Sequence, residues 1–331
     1  MSKFKYAIEI SDNTVIYKIG YGVILKEPNI IAVRQQGKKV LVEAVGNVAE
    51  KLDGKVSSNI DVIKPIQNNA IINKKYAILL LKEFINKIKE PMEPINCLLL
   101  YSPGLSLRER NELINLLYSV NVKEVFMVAS CMAGLLQMDT DITSFNASML
   151  VNLSNTTDIS VVSNGEILEG CTLDIGTNSL DFDIKQYIFN NYSSEIDDHT
   201  ASKIRCEIAT LLANDISKYS FSGTDVNGYG NNEIVIQSQE IRNILTEFFN
   251  KVCGAIQGVL SICSASVYED IRRKGIYLCG ELCNITGIER YLKSKLNISV
   301  YCDVEPKNTI ILGGGILLNN PNLLENLTVK K

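Results

Sequence analysis

Apolar and polar positions alternate from Tyr6 to Ser11, break at Asp12 and Asn13, and resume in a β-rich run from Thr14 to Ile19. A period of two interrupted by a turn pair predicts a β-hairpin. Val23–Leu25 extends it with a third strand, and Asn29–Val33 reads as a further extended stretch after Glu27 and Pro28. The period then changes: Tyr76, Ala77, Leu80, Leu81, Phe84, Ile85 and Ile88 recur at i, i+3, i+4 intervals among lysines and glutamates. That spacing predicts an amphipathic helix. The unbroken apolar run Cys97–Tyr101 reads as a buried strand ending at Ser102-Pro103-Gly104, and Ser106 caps a predicted helix carrying Glu109, Leu113, Leu116 and Leu117. Glu124–Val128 is another short buried strand.

The chain then begins again. Val151-Asn-Leu-Ser-Asn-Thr-Thr157 repeats Ile8-Glu-Ile-Ser-Asp-Asn-Thr14 type for type, and each is followed by a β-rich run. Strands are expected at Ile159–Val162 and Glu166–Leu173, then helices at Leu180–Asn190, Thr200–Lys218 and Ser238–Ile262. A strand Gly275–Cys279, a helix Thr286–Leu296, a strand Ile298–Tyr301 and a glycine-rich turn at Gly313–Gly315 complete the second copy. Hairpin-first mixed sheets followed by alternating helices imply an α/β protein of two facing halves. A seven-residue echo alone is weak; it counts because the elements around it recur in the same order.

Composition narrows the class. The 331 residues are 46% hydrophobic and 21% charged, which excludes a disordered or collagen-like chain and gives material for about two cores. Thirty-three basic and 37 acidic residues leave a formal charge of -4, too little to gather nucleic acid or an anionic membrane nonspecifically. Nine cysteines, an odd number spread through apolar stretches, and an N-terminus without a long apolar segment read as a reduced, cytoplasmic protein. Cys279 and Cys283 have no second Cys/His pair, and the single histidine, His199, lies in a distant acidic turn, so buried thiols are expected rather than zinc. No apolar run is long enough to cross a bilayer.

Two hairpins with small polar tips suit phosphates, because tight turns present backbone N–H groups and hydroxyls to oxyanions. The tips are Ser11, Asp12, Asn13, Thr14 and Ser154, Asn155, Thr156, Thr157, neither containing glycine. A carboxylate ending each first strand would hold magnesium through water; here those positions are Glu9 and the uncharged Asn152. Taken residue by residue, the tips read first as ordinary hairpin turns.

Over nearly the whole chain the sequence resembles the MreB group of bacterial actin homologues. The similarity runs through Gly22–Val33, Ala44–Glu50, Ile63–Ile66, Leu81–Lys87, Pro103–Ser106 with Glu109 and Arg110, Val125–Val128 with Met132 and Ala133, Thr200–Ile208, Gly275–Gly280, Gly287 and Val304–Pro306. It implies an actin-like fold of two duplicated RNase H-like halves, with ATP and magnesium in a cleft. It also implies self-assembly into filaments at the inner membrane face that guide wall synthesis and cell shape. A paralogous actin homologue and membrane morphogenesis proteins are the implied partners. The expected division is 1–141 with 313–326 packing back, including a small subdomain at 33–75, and 142–312, including one at 181–244. Thr200–Ile208 resembles the helix that contacts adenosine, which carries Lys203, Arg205 and Glu207 over as nucleotide-binding positions, joined by Gly280 and Glu281.

The departures fall on the chemistry. The family's first phosphate loop contains glycine and is about two residues longer; its second carries an aspartate and three glycines. Its catalytic glutamate aligns with Ser130, and its Thr-Gly-Gly-Gly block reads Cys279-Gly-Glu-Leu282. An uncharged Asn152, lost glycines and a serine at 130 all act against hydrolysis, which depends on positioning and electrostatics. The expectation is a filament-forming scaffold with weakened or lost ATP hydrolysis. The alternative is a non-polymerising pseudo-actin adaptor for morphogenesis or segregation. Of the loop Pro91–Pro94 only Met92 is apolar, so membrane contact is expected to be weak or partner-mediated.

Overall fold

The computed structural model describes residues 4–327 except 38, 56–58, 89–94, 227 and 229. The Pro91–Pro94 loop lies outside the described residues. The chain divides into two units, one of residues up to Ile142 together with Asn308 onward, the other Thr143–Lys307.

In the first unit, β1 (Tyr6–Ile10), β2 (Asn13–Lys18) and β3 (Gly22–Pro28) form the predicted meander. The strands β4 (Ile31–Gln36), β5 (Lys39–Val45) and β6 (Ile60–Ile63) make a separate three-stranded sheet, with α1 (Asn47–Glu50) beside it. Its own small core is Ile30, Ala32 and Ala49. A two-residue turn at Asn68 and Asn69, both at positive φ, joins β7 (Ile66–Gln67) to β8 (Ala70–Ile71). Helix α2 (Lys74–Ile88) buries Ala77, Leu80, Leu81, Phe84 and Ile85, the stripe that its periodicity predicts. Strand β9 (Ile95–Tyr101), α3 (Leu107–Ser119), β10 (Val122–Ala129) and α4 (Ser130–Gln137) follow. Ser106 caps α3 as expected, and Glu109 reaches back to the Ser106 N–H at 2.8 Å, a reciprocal capping box.

The second unit repeats the plan. Strands β11 (Ser148–Leu153), β12 (Thr157–Ser163) and β13 (Glu166–Leu173) form the meander. After it come α5 (Thr177–Tyr192), β14 (Ser194–Glu195), α6 (Asp198–Ile208), β15 (Lys218–Asp225) and β16 (Asn231–Gln237). Helix α7 (Ser238–Ile262) has the predicted limits and presses Leu245, Phe248, Phe249 and Val252 into the core, each burial worth roughly 1.5–3 kcal/mol. Helix α8 (Ala265–Lys274), β17 (Ile276–Cys279), a 3-10 turn Glu281–Asn284, α9 (Ile288–Leu296) and β18 (Val300–Cys302) finish it.

The two large sheets have one topology. The strand orders are β10-β9-β1-β2-β3 and β13-β12-β11-β17-β18. Ile8 faces Ile16 across an antiparallel pair and Leu99 across a parallel one. Val151 faces Ile159 and Leu278 in the same two ways. The seven-residue echo is thus a repeat of strand register, down to the closing pairs Ile10–Thr14 and Leu153–Thr157.

Two expectations are corrected. The helix expected over Thr200–Lys218 stops at Ile208, because Ala209 turns extended and Thr210 bridges to Thr286. From Lys218 burial alternates every second residue, the signature of a strand. The glycine-rich turn at Gly313–Gly315 is instead the middle of helix α10 (Thr309–Asn319), which α11 (Pro321–Asn326) follows. A Cβ on Gly313 would stand 1.8 Å from the Ala133 carbonyl oxygen, and one on Gly315 would stand 2.6 Å from Tyr17 Cζ. The glycines let this helix lie directly on α4 and on the sheet, which outweighs a helix-propensity cost of roughly 1 kcal/mol each.

Candidate functional site

The first hairpin tip closes on itself and on its own unit. The Ser11 N–H donates to Asn13 O at 2.9 Å, and the Ser11 hydroxyl lies 3.4 Å from the same oxygen. Asn29, which the sequence analysis did not single out, fastens the turn: its Nδ2 donates to Ser11 O and its backbone N–H to Asp12 O, both at 2.7 Å. Its Oδ1 accepts from the Thr14 hydroxyl, also at 2.7 Å. Thr14 is fully buried, so its hydroxyl fixes the loop from beneath; Ser11, Asp12 and Asn13 are half-buried at the tip. The Asp12 carboxylate accepts from the Asn68 N–H, tying the tip to the β7–β8 turn. Glu9, half-buried, lies opposite Val15 and beside Leu100 in the sheet.

The second tip repeats this closure. The Ser154 N–H donates to Thr156 O at 3.1 Å, and the buried Thr157 hydroxyl donates to Ile175 O at 2.9 Å, as Thr14 does to Asn29. The Thr177 N–H donates to Ser154 O at 2.9 Å, and its hydroxyl to Asn155 Oδ1, so the first turn of α5 sits on the tip. Gly176 makes this possible, since a Cβ there would fall 2.1 Å from Ser154 O. Thr156 is buried; Ser154 and Asn155 are half-buried.

Asn152 ends β11 with its side chain already engaged: Oδ1 accepts from Ser154 Oγ at 2.8 Å and from Cys279 Sγ at 3.7 Å. Gly280 packs so closely on this strand that a Cβ would stand 2.4 Å from Leu153 O and 2.7 Å from Asn152 Oδ1. It holds φ of 97°, a conformation that favours glycine. A neutral, occupied and buried Asn152 fits magnesium poorly, and Glu9 is the one carboxylate of the expected pair. Among the described residues, no group of three or more His, Cys, Asp and Glu side chains is arranged to hold a metal ion.

Helix α6 separates the three positions expected to meet adenosine. Lys203 and Glu207, four apart, are exposed, whereas Arg205 between them turns inward. Its Nε and Nη2 grip the Asp181 carboxylate of α5 at 2.6 and 3.2 Å, and Nη2 also reaches Ser202 Oγ at 3.1 Å. Nη1 and Nη2 both reach Glu281 Oε1 at 3.2 Å, and Lys307 Nζ approaches the same oxygen at 3.3 Å. Burial opposes the Arg205 charge, but the Asp181 and Glu281 carboxylates more than restore it and hold its pKa above the ordinary arginine value. For Glu281 burial acts upward, yet Arg205 and Lys307 outweigh it and keep the carboxyl below its ordinary range. Arg205 therefore acts as the ionic bolt between α5, α6 and the turn after β17, where Gly280 packs on Asn152 and Leu153. In the other unit, Ser130 is the first residue of α4, buried directly after β10.

Sequence reasoning missed Asn29, Asp181, Thr177 and Lys307. A polar residue right after a strand was the one available signal for Asn29. Asp181 lies mid-helix, where a carboxylate reads as solvent-facing.

Comparison with known proteins places this architecture. The family model described as MreB/Mbl protein matches residues 7–326. The cell shape-determining protein MreB of Escherichia coli K12 is 27% identical over 310 residues, covering 92% of this chain and 89% of that protein. The cell shape-determining protein Mbl of Bacillus subtilis is 25% identical over 316 residues, covering 94% of each. Among solved structures, MreB5 of Spiroplasma citri bound to ADP superposes with a TM-score of 0.89 at 24% identity, covering 98% of both chains. A MamK double helical filament gives 0.79 at 15% identity, covering 95% of this chain and 98% of that one. The expected actin-like fold is borne out.

Proposed function

Because the chain belongs to the MreB/Mbl family, we propose that it is an actin-like cytoskeletal protein that binds ATP, assembles into filaments and scaffolds cell shape. The observation that carries this reading is the family match over 7–326 together with the two register-matched hairpin sheets. Nucleotide binding draws support from solved relatives in the ADP and AMPPNP states, and self-association from the MamK filament. In this reading Ser11–Thr14 and Ser154–Thr157 present N–H groups and hydroxyls to phosphate oxygens. Lys203 and Glu207 lie toward the base, and Glu9 is left as the carboxylate for magnesium. In this reading the division of labour follows 1–141 with 313–326 and 142–312, with small subdomains at 33–75 and 181–244.

Hydrolysis is slow in this reading. A glutamate at this position would accept a proton and bring negative charge to the attacking water, whereas Ser130 at the start of α4 is a neutral, very weakly basic hydroxyl. Asn152 brings no charge to a metal and spends its oxygen on Ser154 and Cys279. The protein works at the inner membrane face through partners that include a paralogous actin homologue and morphogenesis proteins. Among the described residues no helix is long and apolar enough to cross a membrane.

Sedimentation and negative-stain microscopy of the purified chain with ATP, AMPPNP or no nucleotide test the reading. Nucleotide-dependent protofilaments support it. Monomers alone across nucleotide, salt and crowding conditions overturn the filament and leave the adaptor.

A further inference from the structure

We propose that Cys283 and Cys302 form a redox-responsive thiol pair, oxidised by hydrogen peroxide to a disulfide that fastens the turn after β17 to strand β18.

A meeting of two thiols on neighbouring elements carries the assignment. Strands β17 and β18 run parallel, with Leu278 opposite Cys302. Beyond them the two segments stay together: the Asp303 N–H donates to Leu278 O at 3.2 Å, and the Gly280 N–H to Pro306 O at 2.7 Å. Past Gly280 the chain folds back as the 3-10 turn Glu281–Asn284, with the Cys283 N–H donating to Gly280 O at 3.2 Å. Cys283 is thereby returned to the end of β18, where its thiol is hydrogen-bonded with that of Cys302. Both side chains belong to one apolar core, Cys283 buried in it and Cys302 half-buried against it. A disulfide needs two cysteines whose side chains already meet, and these two do.

The other thiols keep different company. Asp158 acts on Cys171, Lys295 on Cys253 and Glu169 on Cys263. Cys279 is a third thiol near Cys283, but its own S–H is given to Asn152 Oδ1 at 3.7 Å.

The pair is asymmetric, and the asymmetry sets the order of events. Burial pushes the Cys283 thiol well above its ordinary pKa and the Cys302 thiol beside it raises it further, so Cys283 waits protonated. Cys302, the more exposed of the two, is the one that peroxide reaches. Its thiolate attacks one peroxide oxygen, the O–O bond breaks, and the departing hydroxide takes up the proton that Cys302 released; Cys302 becomes a sulfenic acid. The Cys283 sulfur then attacks the Cys302 sulfur, the S–O bond breaks, and hydroxide leaves as water with the Cys283 proton. Two thiols and one peroxide thus give one disulfide and two waters. Two molecules of a small thiol reverse the bond by exchange, becoming a disulfide themselves. In a reducing compartment such a bond is transient and sensing rather than structural. While it lasts it stiffens the turn whose Gly280 packs on Asn152 and Leu153 at the root of the second tip.

Peptide mapping of the full chain after hydrogen peroxide, with remaining thiols blocked under denaturing conditions, tests the pair. Trypsin cuts after Lys274, Arg290, Lys295 and Lys307, so the link joins peptide 275–290 to peptide 296–307 at two hydrogens below their summed mass. This link is expected to be the most abundant among the nine cysteines and to disappear with dithiothreitol. Cys283→Ser or Cys302→Ser should abolish it, and Cys279→Ser should leave it. Dimedone, which captures sulfenic acids, should label Cys302 in Cys283→Ser and leave Cys283 unlabelled in Cys302→Ser. The oxidised wild type should melt above its reduced form, a shift that both serine variants lose. Absence of the link, its formation only in denatured chain, or Cys279 in place of either partner overturns the pair, and the wild-type map decides this even where a serine variant fails to fold. Dimedone on Cys283 overturns the order of attack, and an unchanged melting temperature overturns the fastening of the turn.

Discussion

Arg205 and Asp181 meet through two parallel N–H···O bonds of 2.6 and 3.2 Å on the inner face of α6, with side chains only 4% and 12% exposed. Such a pair adds little over a well-packed apolar contact, but breaking it strands a buried charge. Asp181→Ala should therefore cost about 3–5 kcal/mol in urea denaturation. Arg205→Lys should cost less yet measurably, since an ammonium cannot fork across both carboxylates.

The pH dependence follows from Glu281. Its pKa in the folded protein is depressed, burial being outweighed by Arg205 and Lys307. A group lowered on folding stabilises above its unfolded value, and that contribution disappears as pH falls through the folded one. The melting temperature should therefore drop more steeply below the ordinary carboxylate range in wild type than in Glu281→Gln. Parallel melting curves for the two proteins across acid pH would contradict this.

Glycine positions in helices should divide by what stands next to them. Gly313→Ala drives a methyl toward Ala133 O and should destabilise by more than about 3 kcal/mol or abolish soluble expression. Gly254→Ala in α7, with nothing within 4 Å of a new Cβ, should stabilise by about 0.5–1 kcal/mol. Circular-dichroism melts of the two variants make the comparison.

For hydrolysis, Ser130→Glu combined with Asn152→Asp should raise phosphate release above either single change, because water orientation and metal charge serve one transition state. Gain is expected to be partial, since the Ser154 hydroxyl and the Cys279 thiol that donate to Asn152 Oδ1 would also hold the new aspartate. A wild-type chain that already turns over as fast as the double variant would contradict the roles given to both positions.

Removal of the Asn29 side chain should loosen the first tip. Asn29→Ala deletes the Nδ2 bond to Ser11 O and leaves the buried Thr14 hydroxyl without its acceptor, a loss of about 1–3 kcal/mol. Nucleotide affinity should fall with it, read by calorimetric titration with ATP.

What the sequence determined by itself is the local structure. Period-two runs closed by small polar pairs specified the hairpins, Ser106 and Glu109 specified the start of α3, and the limits Ser238–Ile262 of α7 were legible in the chain. The repeat at Ile8 and Val151 disclosed the duplicated sheets before any contact was known, because strand register is written in consecutive residues. Tertiary structure alone decided whether Gly313–Gly315 turns or stays helical, since that depends on Ala133, Leu100 and Tyr17, far away in the chain. It also decided that Arg205 faces inward while Lys203 and Glu207 face out. The partner that fixes Arg205 across the turn, Glu281, is 76 residues distant, and no local pattern encodes which carboxylate a buried guanidinium will find.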